Sequence, residues 1–359
     1  MTIPYWQTRR QDLLSLAAKT CPLYVYHEER LNEIFFDLLS LDSLRGLLYP
    51  LYANAHPEII RKALDMGLGF LCTSRDEIKR VLGLCSEFDS ERIVMWDDGS
   101  IHQESGPTLP LGRSLIVKDP IKSKSGPSAL HDRDLYLFLE SDTISESESW
   151  PGLNPKGFYV DEIGNHASSD DLDKMITLLT KASASFPEAS DLILGNSKTV
   201  GLEFGETGVR GLGNYLESVH DACPQLALRL EVPLDLLSTI GALLVRVKEV
   251  KKNQGECHIR INTEINDSMH DQPPKAGCHI LNLSKSHEEK ASIIPTRGWK
   301  QDTLIVPDHI MHTSPIEKGD IVLIPDMGLC WTQDRLGERI RNGVPESYLS
   351  ARRLCPVKI

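Results

Sequence analysis

"YPLYANAHPEII", Tyr49 to Ile60, is the stretch on which the fold turns. It reads as a short apolar strand, then a turn, then a helix opened near His56-Pro57, proline being favoured at a helix's first position. In an α/β protein the chemistry sits where strand ends face helix starts. Tyr52, at the end of that strand, is therefore the residue to explain.

Working outward, "LLYPLYA" (47–53) is the first of eight short apolar runs. The others are "GFLCTS" (69–74), "RIVMWDD" (92–98), "SLIVKD" (114–119), "DLYLFLE" (134–140), "GFYVDE" (157–162), "DLILGN" (191–196) and "ALRLEV" (227–232). Most are continuously apolar, as strands buried on both faces of a parallel sheet must be. Helical patterns separate several of them. "HPEIIRKALDMG" carries Ile59, Ile60 and Leu64 on one face, and Ser74 with Glu77 forms a capping box ahead of "IKRVLGL". "SSDDLDKMITLLTKA" and "NYLESVHDA" follow later. Eight strands with crossover helices predict a (β/α)8 TIM-type barrel, taken here as residues 28–232. Residues 98–113, 120–133 and 141–156 are rich in Gly, Pro and Ser without helical period, so the middle helices are expected to be eroded to loops.

After residue 232 the texture changes to "ALLVRVKEVKKN", "ECHIRINTE", "CHILNLS", "TLIVPDHI" and "DIVLIPDMG", with turn-rich connections and no helix but "DRLGERIRNG". That predicts an antiparallel β-domain from 233–359, joined by residues 1–27 through the strand at 22–27. The net charge of −12 argues against a nucleic-acid or anionic-membrane surface, both of which select basic patches. "MTIPYWQTRR" has no apolar run behind its basic pair and no stretch has the length of a membrane span, so a cytoplasmic protein is expected. The eight cysteines include no C-x-x-C pair, which suggests free thiols rather than a zinc or redox motif.

The ordered fragments resemble fold-type III pyridoxal-phosphate decarboxylases, of the ornithine, diaminopimelate and arginine decarboxylase group, and diaminopimelate decarboxylase most closely. "CPLYVYHEERL" is similar to that family's opening strand, the stretch from Tyr49 to Ile78 to its first two βα units, "GFYVDEIGNHASSDDL" to its sixth, and "LRLEVPLDLLSTIGALLVRVKEVKKN" to the barrel exit. The resemblance implies an alanine-racemase-like barrel, a C-terminal β-domain, pyridoxal phosphate as cofactor, and dimers that build each active site from two subunits. It also implies what Tyr52 replaces. The family's first strand ends in Tyr-Ala-x-Lys-Ala-Asn, and Tyr52 stands at the Schiff-base lysine. A phenol cannot form an imine.

Other family positions are altered as well. Leu71 stands for an aspartate, and Glu162 for the histidine that stacks on the cofactor. Gly195-Asn196-Ser197 stands for a triple-glycine phosphate loop, Leu234 for an arginine, and Cys330 for a phosphate-binding tyrosine. "PTRGWKQD" lacks the catalytic cysteine, while Glu231 is kept. Tyr52, Asn54, Glu162, Gly195, Asn196, Glu231 and Cys330 are thus vestigial pocket positions, with no catalytic residue, cofactor or metal expected. The strand-end carboxylates Asp97, Asp98, Asp119, Glu140, Asp161, Glu162 and Glu231 read as solvated or capping groups. "GNSKT" (195–199) lacks phosphate-loop spacing.

Two readings stay open. One is a non-catalytic homologue acting by binding or as a regulatory subunit, in a homodimer or a heterodimer with a paralogous decarboxylase. The other is an enzyme, either an active amino-acid decarboxylase of the diaminopimelate or ornithine type or a barrel with a new cofactor-independent reaction. For the former, Lys62, Lys118 and Lys198 are nearby amines, Lys118 lying at the fourth strand's end.

Overall fold

The computed structural model describes residues 3–85, 88–97, 114–118, 133–139, 154–161, 169–195, 208–264, 279–287, 290–329, 344–349 and 354–356. The expected loops in the middle of the barrel and the segment "DRLGERIRNG" lie outside the described residues.

The chain divides into two compact units: Asn32–Leu236, and Met1–Leu31 with Leu237–Ile359. After β1 (Leu23–His27), which belongs to the second unit, eight strands close into a parallel barrel in chain order. They are β2 (Gly46–Pro50), β3 (Gly69–Cys72), β4 (Ile93–Asp97), β5 (Ser114–Val117), β6 (Asp134–Leu139), β7 (Gly157–Asp161), β8 (Asp191–Gly195) and β9 (Ala227–Glu231). Leu48 pairing with Gly69 on one side and Glu231 on the other closes the ring. The eight apolar runs are these eight strands. β2 is shorter than the apolar run suggests: it stops at Pro50, and Tyr52 lies in the turn beyond it.

The helix after β2, Pro57–Asp65, starts where the sequence indicates. His56 is its N-cap, Nδ1 accepting from the Glu58 amide at 3.2 Å, and Pro57 opens the first turn. Its buried face is Ile59, Ile60 and Ala63 rather than Leu64, because the i, i+4 partner of Ile59 is Ala63. Gly67 ends it with φ of +80°, a conformation a side chain strongly disfavours. The expected capping box stands before Arg75–Leu84. Ser74 Oγ accepts from the Glu77 amide at 3.3 Å, and the Glu77 carboxylate reaches back to accept from the Ser74 backbone and also from the Thr73 amide at 2.7 Å. Burial pushes the Glu77 carboxyl up from its ordinary range. Helices Ser169–Ser185 and Gly208–Ala222 follow β7 and β8.

The other unit contains β10 (Gly241–Asn253), β11 (Glu256–Ile261), β12 (His279–His287), β13 (Lys290–Pro295), β14 (Gly298–Lys300), β15 (Thr303–Pro307), β16 (Ile321–Pro325), β17 (Glu346–Leu349) and β18 (Leu354–Pro356). The main sheet runs β13-β12-β16-β10-β1-β17-β18, with β11, β15 and β14 extending from β10. It is antiparallel apart from the pair β1 and β17. β1 lies between β10 and β17, so the early strand at 22–27 does join the late sheet. Strands β13, β14, β17 and β18 and three helices of this unit are additions to the sequence reading. One-turn helix Ile310–Thr313 follows β15, and helices Ile3–Thr8 and Arg10–Lys19 cover the sheet, burying Trp6, Leu13, Leu16 and Ala17 against Leu244, Leu281, Leu323 and Leu349.

Candidate functional site

The side chains at the C-terminal end of the barrel strands, the end where enzymes of this architecture carry their chemistry, converge on Glu231. Glu231 is the last residue of β9 and is 1% exposed. Tyr52, from the turn after β2, donates its phenol hydrogen to Glu231 Oε1. Tyr159, the middle residue of β7, donates to Glu231 Oε2 at 3.0 Å. Each carboxylate oxygen therefore carries one phenol, the two arriving from opposite sides around the ring.

β7 and β9 are not adjacent, since β8 runs between them. Tyr159 reaches Glu231 by passing over Gly195, the last residue of β8. A Cβ built on Gly195 would lie inside the Tyr159 phenol, so only glycine permits this bond. Tyr159 is held from its other side by aromatic rings. Trp96 of β4 meets it edge-on at 5.1 Å and meets Phe138 of β6 at 5.2 Å, while Phe138 stacks on Tyr159 at 5.9 Å. Lys118, exposed just past β5, places Nζ 5.3 Å from the Phe138 ring centroid.

Of the positions singled out in the sequence, the structure brings together Tyr52, Gly195 and Glu231. Asn54 is buried in the turn itself. Its Oδ1 accepts from the His56 amide at 2.9 Å and its carbonyl from Tyr49 Oη at 2.7 Å, which shapes the entry to the helix. Glu162, Asn196 and Cys330 lie outside the described residues. Tyr159, Trp96 and Phe138 were not anticipated. Strand parity was the available signal, since Tyr136 and Phe138 share a face of β6 as Arg229 and Glu231 share a face of β9.

A second polar layer lies nearer the strand starts. Arg229 Nη2 donates to Tyr136 Oη and lies 3.5 Å from Asp191 Oδ1. Ser190 Oγ donates to Asp191 Oδ2 at 2.9 Å. Gly157 stands in register between Tyr136 and Asp191, where a Cβ would collide with the Asp191 backbone. Burial pushes the Tyr136 phenol up to about 12, against the opposing pull of the Arg229 charge.

Solved structures share this fold. An arginine decarboxylase from Paramecium bursaria Chlorella virus superposes with a TM-score of 0.71 at 12% identity, covering 95% of this chain and 99% of that one. The chain has the fold of these decarboxylases. Lysine decarboxylase from Selenomonas ruminantium (TM-score 0.67, 14% identity, 95% and 96% covered) is similar to the same extent. So is diaminopimelate decarboxylase from M. jannaschi (0.68, 16%, 95% and 90%). No family model and no curated protein sequence matches the chain. Among the described residues, no helix is long and apolar enough to cross a membrane.

The decarboxylase fold implies pyridoxal phosphate, and the side chains at the described mouth do not fit it. The residue beside Glu231 is a phenol where an imine needs an amine. Both Glu231 oxygens accept from phenols, and the Tyr159 ring covers the backbone of Gly195.

Proposed function

We propose that this chain is a non-catalytic relative of the decarboxylases whose fold it has, working through binding rather than turnover. The observation that carries the reading is the Glu231 carboxylate held by Tyr52 and Tyr159. The scaffold is retained, while at the described mouth both Glu231 oxygens accept from phenols. A regulatory subunit fits this description, in a homodimer or a heterodimer with a paralogous decarboxylase. The acidic balance of −12 supports a cytoplasmic protein without nucleic-acid or membrane partners.

Another solved neighbour, SrLDC, is a complex with PLP and cadaverine. The competing reading, an amino-acid decarboxylase using a relocated lysine, draws on Lys118, whose ammonium lies over Phe138. One experiment separates the two. The protein is incubated with excess pyridoxal phosphate, reduced with borohydride and digested for mass spectrometry. We expect no phosphopyridoxyl-lysine on the unaltered chain. A stoichiometric adduct on Lys118, or on another lysine of the barrel mouth, overturns the non-catalytic reading. The variant Tyr52→Lys, treated in the same way, reports whether the amine alone restores the adduct. The covering of Gly195 by Tyr159 predicts that it does not.

A further inference from the structure

β13 is the terminal strand of the main sheet, and terminal strands offer backbone donors and acceptors to any extended chain. At Ala291 both are taken by a side chain from 284 residues away. Gln7 Nε2 donates to the Ala291 carbonyl at 2.8 Å, and the Ala291 amide donates to Gln7 Oε1 at 2.6 Å. A primary amide carries the same donor–acceptor pair as a peptide group, so Gln7 stands where a residue of a further strand would stand.

The groups that Gln7 occupies belong to a self-complementary segment. Residues two apart in a strand direct their backbone groups to the same side, so Ile293 presents its pair outward as Ala291 does. Two copies of β13, antiparallel and centred on Ser292, would set Ala291 of each copy against Ile293 of the other. Twofold symmetry then makes the contact twice. Pro295, which has no amide hydrogen, falls outside this register. The Ile293 side chain is already 45% exposed, and β13 is paired only with β12 among the described strands.

We infer that Gln7 is an edge guard, and that withdrawing its amide opens β13 to pairing with a second copy of this chain. Trp6, the residue before it, is fully buried beneath the sheet and holds the guard in place. The contact works as a built-in block on self-association along one edge, regulated by a single side chain.

The test uses the full chain with Gln7→Ala and Gln7→Glu, the second keeping the side-chain size while replacing the donor by a carboxylate oxygen. Sedimentation across a range of concentrations should show an association absent from the unaltered protein. Hydrogen exchange at the Ala291 amide should accelerate by about tenfold or more in Gln7→Ala in dilute solution, where the edge is open but not paired, and should not in Gln7→Glu, whose carboxylate still accepts from that amide while leaving the Ala291 carbonyl without its donor. The double variant Gln7→Ala/Ile293→Pro, which removes the outward amide hydrogen of Ile293, should return to the unaltered state of association. Near-UV circular dichroism, to which the buried Trp6 contributes, reports whether each variant is folded, and if Gln7→Ala is not, the sedimentation of Gln7→Glu decides. Folded variants with unchanged sedimentation and unchanged exchange overturn the inference, as does association that persists in the double variant.

Discussion

The floor and the mouth of the barrel each carry a buried polar layer, and the two are built on different principles. At the floor, Arg229 sets a guanidinium beside the Asp191 carboxylate, with Tyr136 accepting a hydrogen bond at its side. At the mouth, Glu231 is held by two phenols. In the first case a charge answers a charge. In the second, two phenol donors hold the carboxylate, one on each oxygen. At the mouth the Tyr159 side chain crosses β8 over Gly195, while at the floor Gly157 lies against the Asp191 backbone. The floor layer reads as a fastening of the barrel. The mouth layer satisfies, from within, the end of the barrel where a ligand would enter.

The sharpest way to break this contrast is to remove the cation at the floor. Arg229→Met leaves Asp191 buried without its guanidinium, and unfolding by urea should show a loss of about 3–5 kcal/mol. At the mouth the equivalent change is milder. Tyr52→Phe leaves one carboxylate oxygen of Glu231 without its phenol, for an expected loss of about 1.5–3 kcal/mol, the scale of a hydrogen bond to a charged group. Equal losses at the two sites would mean that the layers do not differ as described. Gly195→Ala should cost about 1–3 kcal/mol by overpacking and should also displace Tyr159, seen as a change in tyrosine and tryptophan fluorescence near Trp96.

The smallest expected effect is a pH dependence confined to the floor. Tyr136 has a folded pKa of about 12, above the ordinary value of 10.0 for an unfolded tyrosine. The unfolded state therefore loses this proton first. Its contribution is fully present below pH ~10 and is lost as pH rises toward ~12, where the stability of the unaltered protein should fall more steeply than that of Tyr136→Phe. Equal slopes for the two proteins would show that this phenol is not buried as described.

The barrel was legible because its strands are buried on both faces and so write themselves as continuous apolar runs. The N-terminal helices were less so. "RQDLLSLAAK" is mixed in composition, with Leu13, Leu16 and Ala17 buried against the sheet and Leu14 partly so. The site was legible at single positions. Tyr52 and Glu231 stand out one at a time, because each occupies a place where a particular chemistry is expected. Tyr159 does not, since its role depends on β7 and β9 being two strands apart with a glycine between them. Periodicity shows which face a residue takes, but not which residue it meets across a closed ring.

The position of β1 has a consequence for biosynthesis. This strand leaves the ribosome before the barrel segment, yet its partners β10 and β17 lie on the far side of the barrel sequence. At synthesis rates of roughly 5–20 residues per second, the barrel segment alone takes about 10–40 s to emerge, and β1 has no native strand to pair with until it has. The barrel is then complete in the nascent chain while the sheet still lacks its other members. The order of assembly is inverted relative to the order of translation, and an apolar strand, Leu-Tyr-Val-Tyr, waits through it as the segment most open to capture by a chaperone.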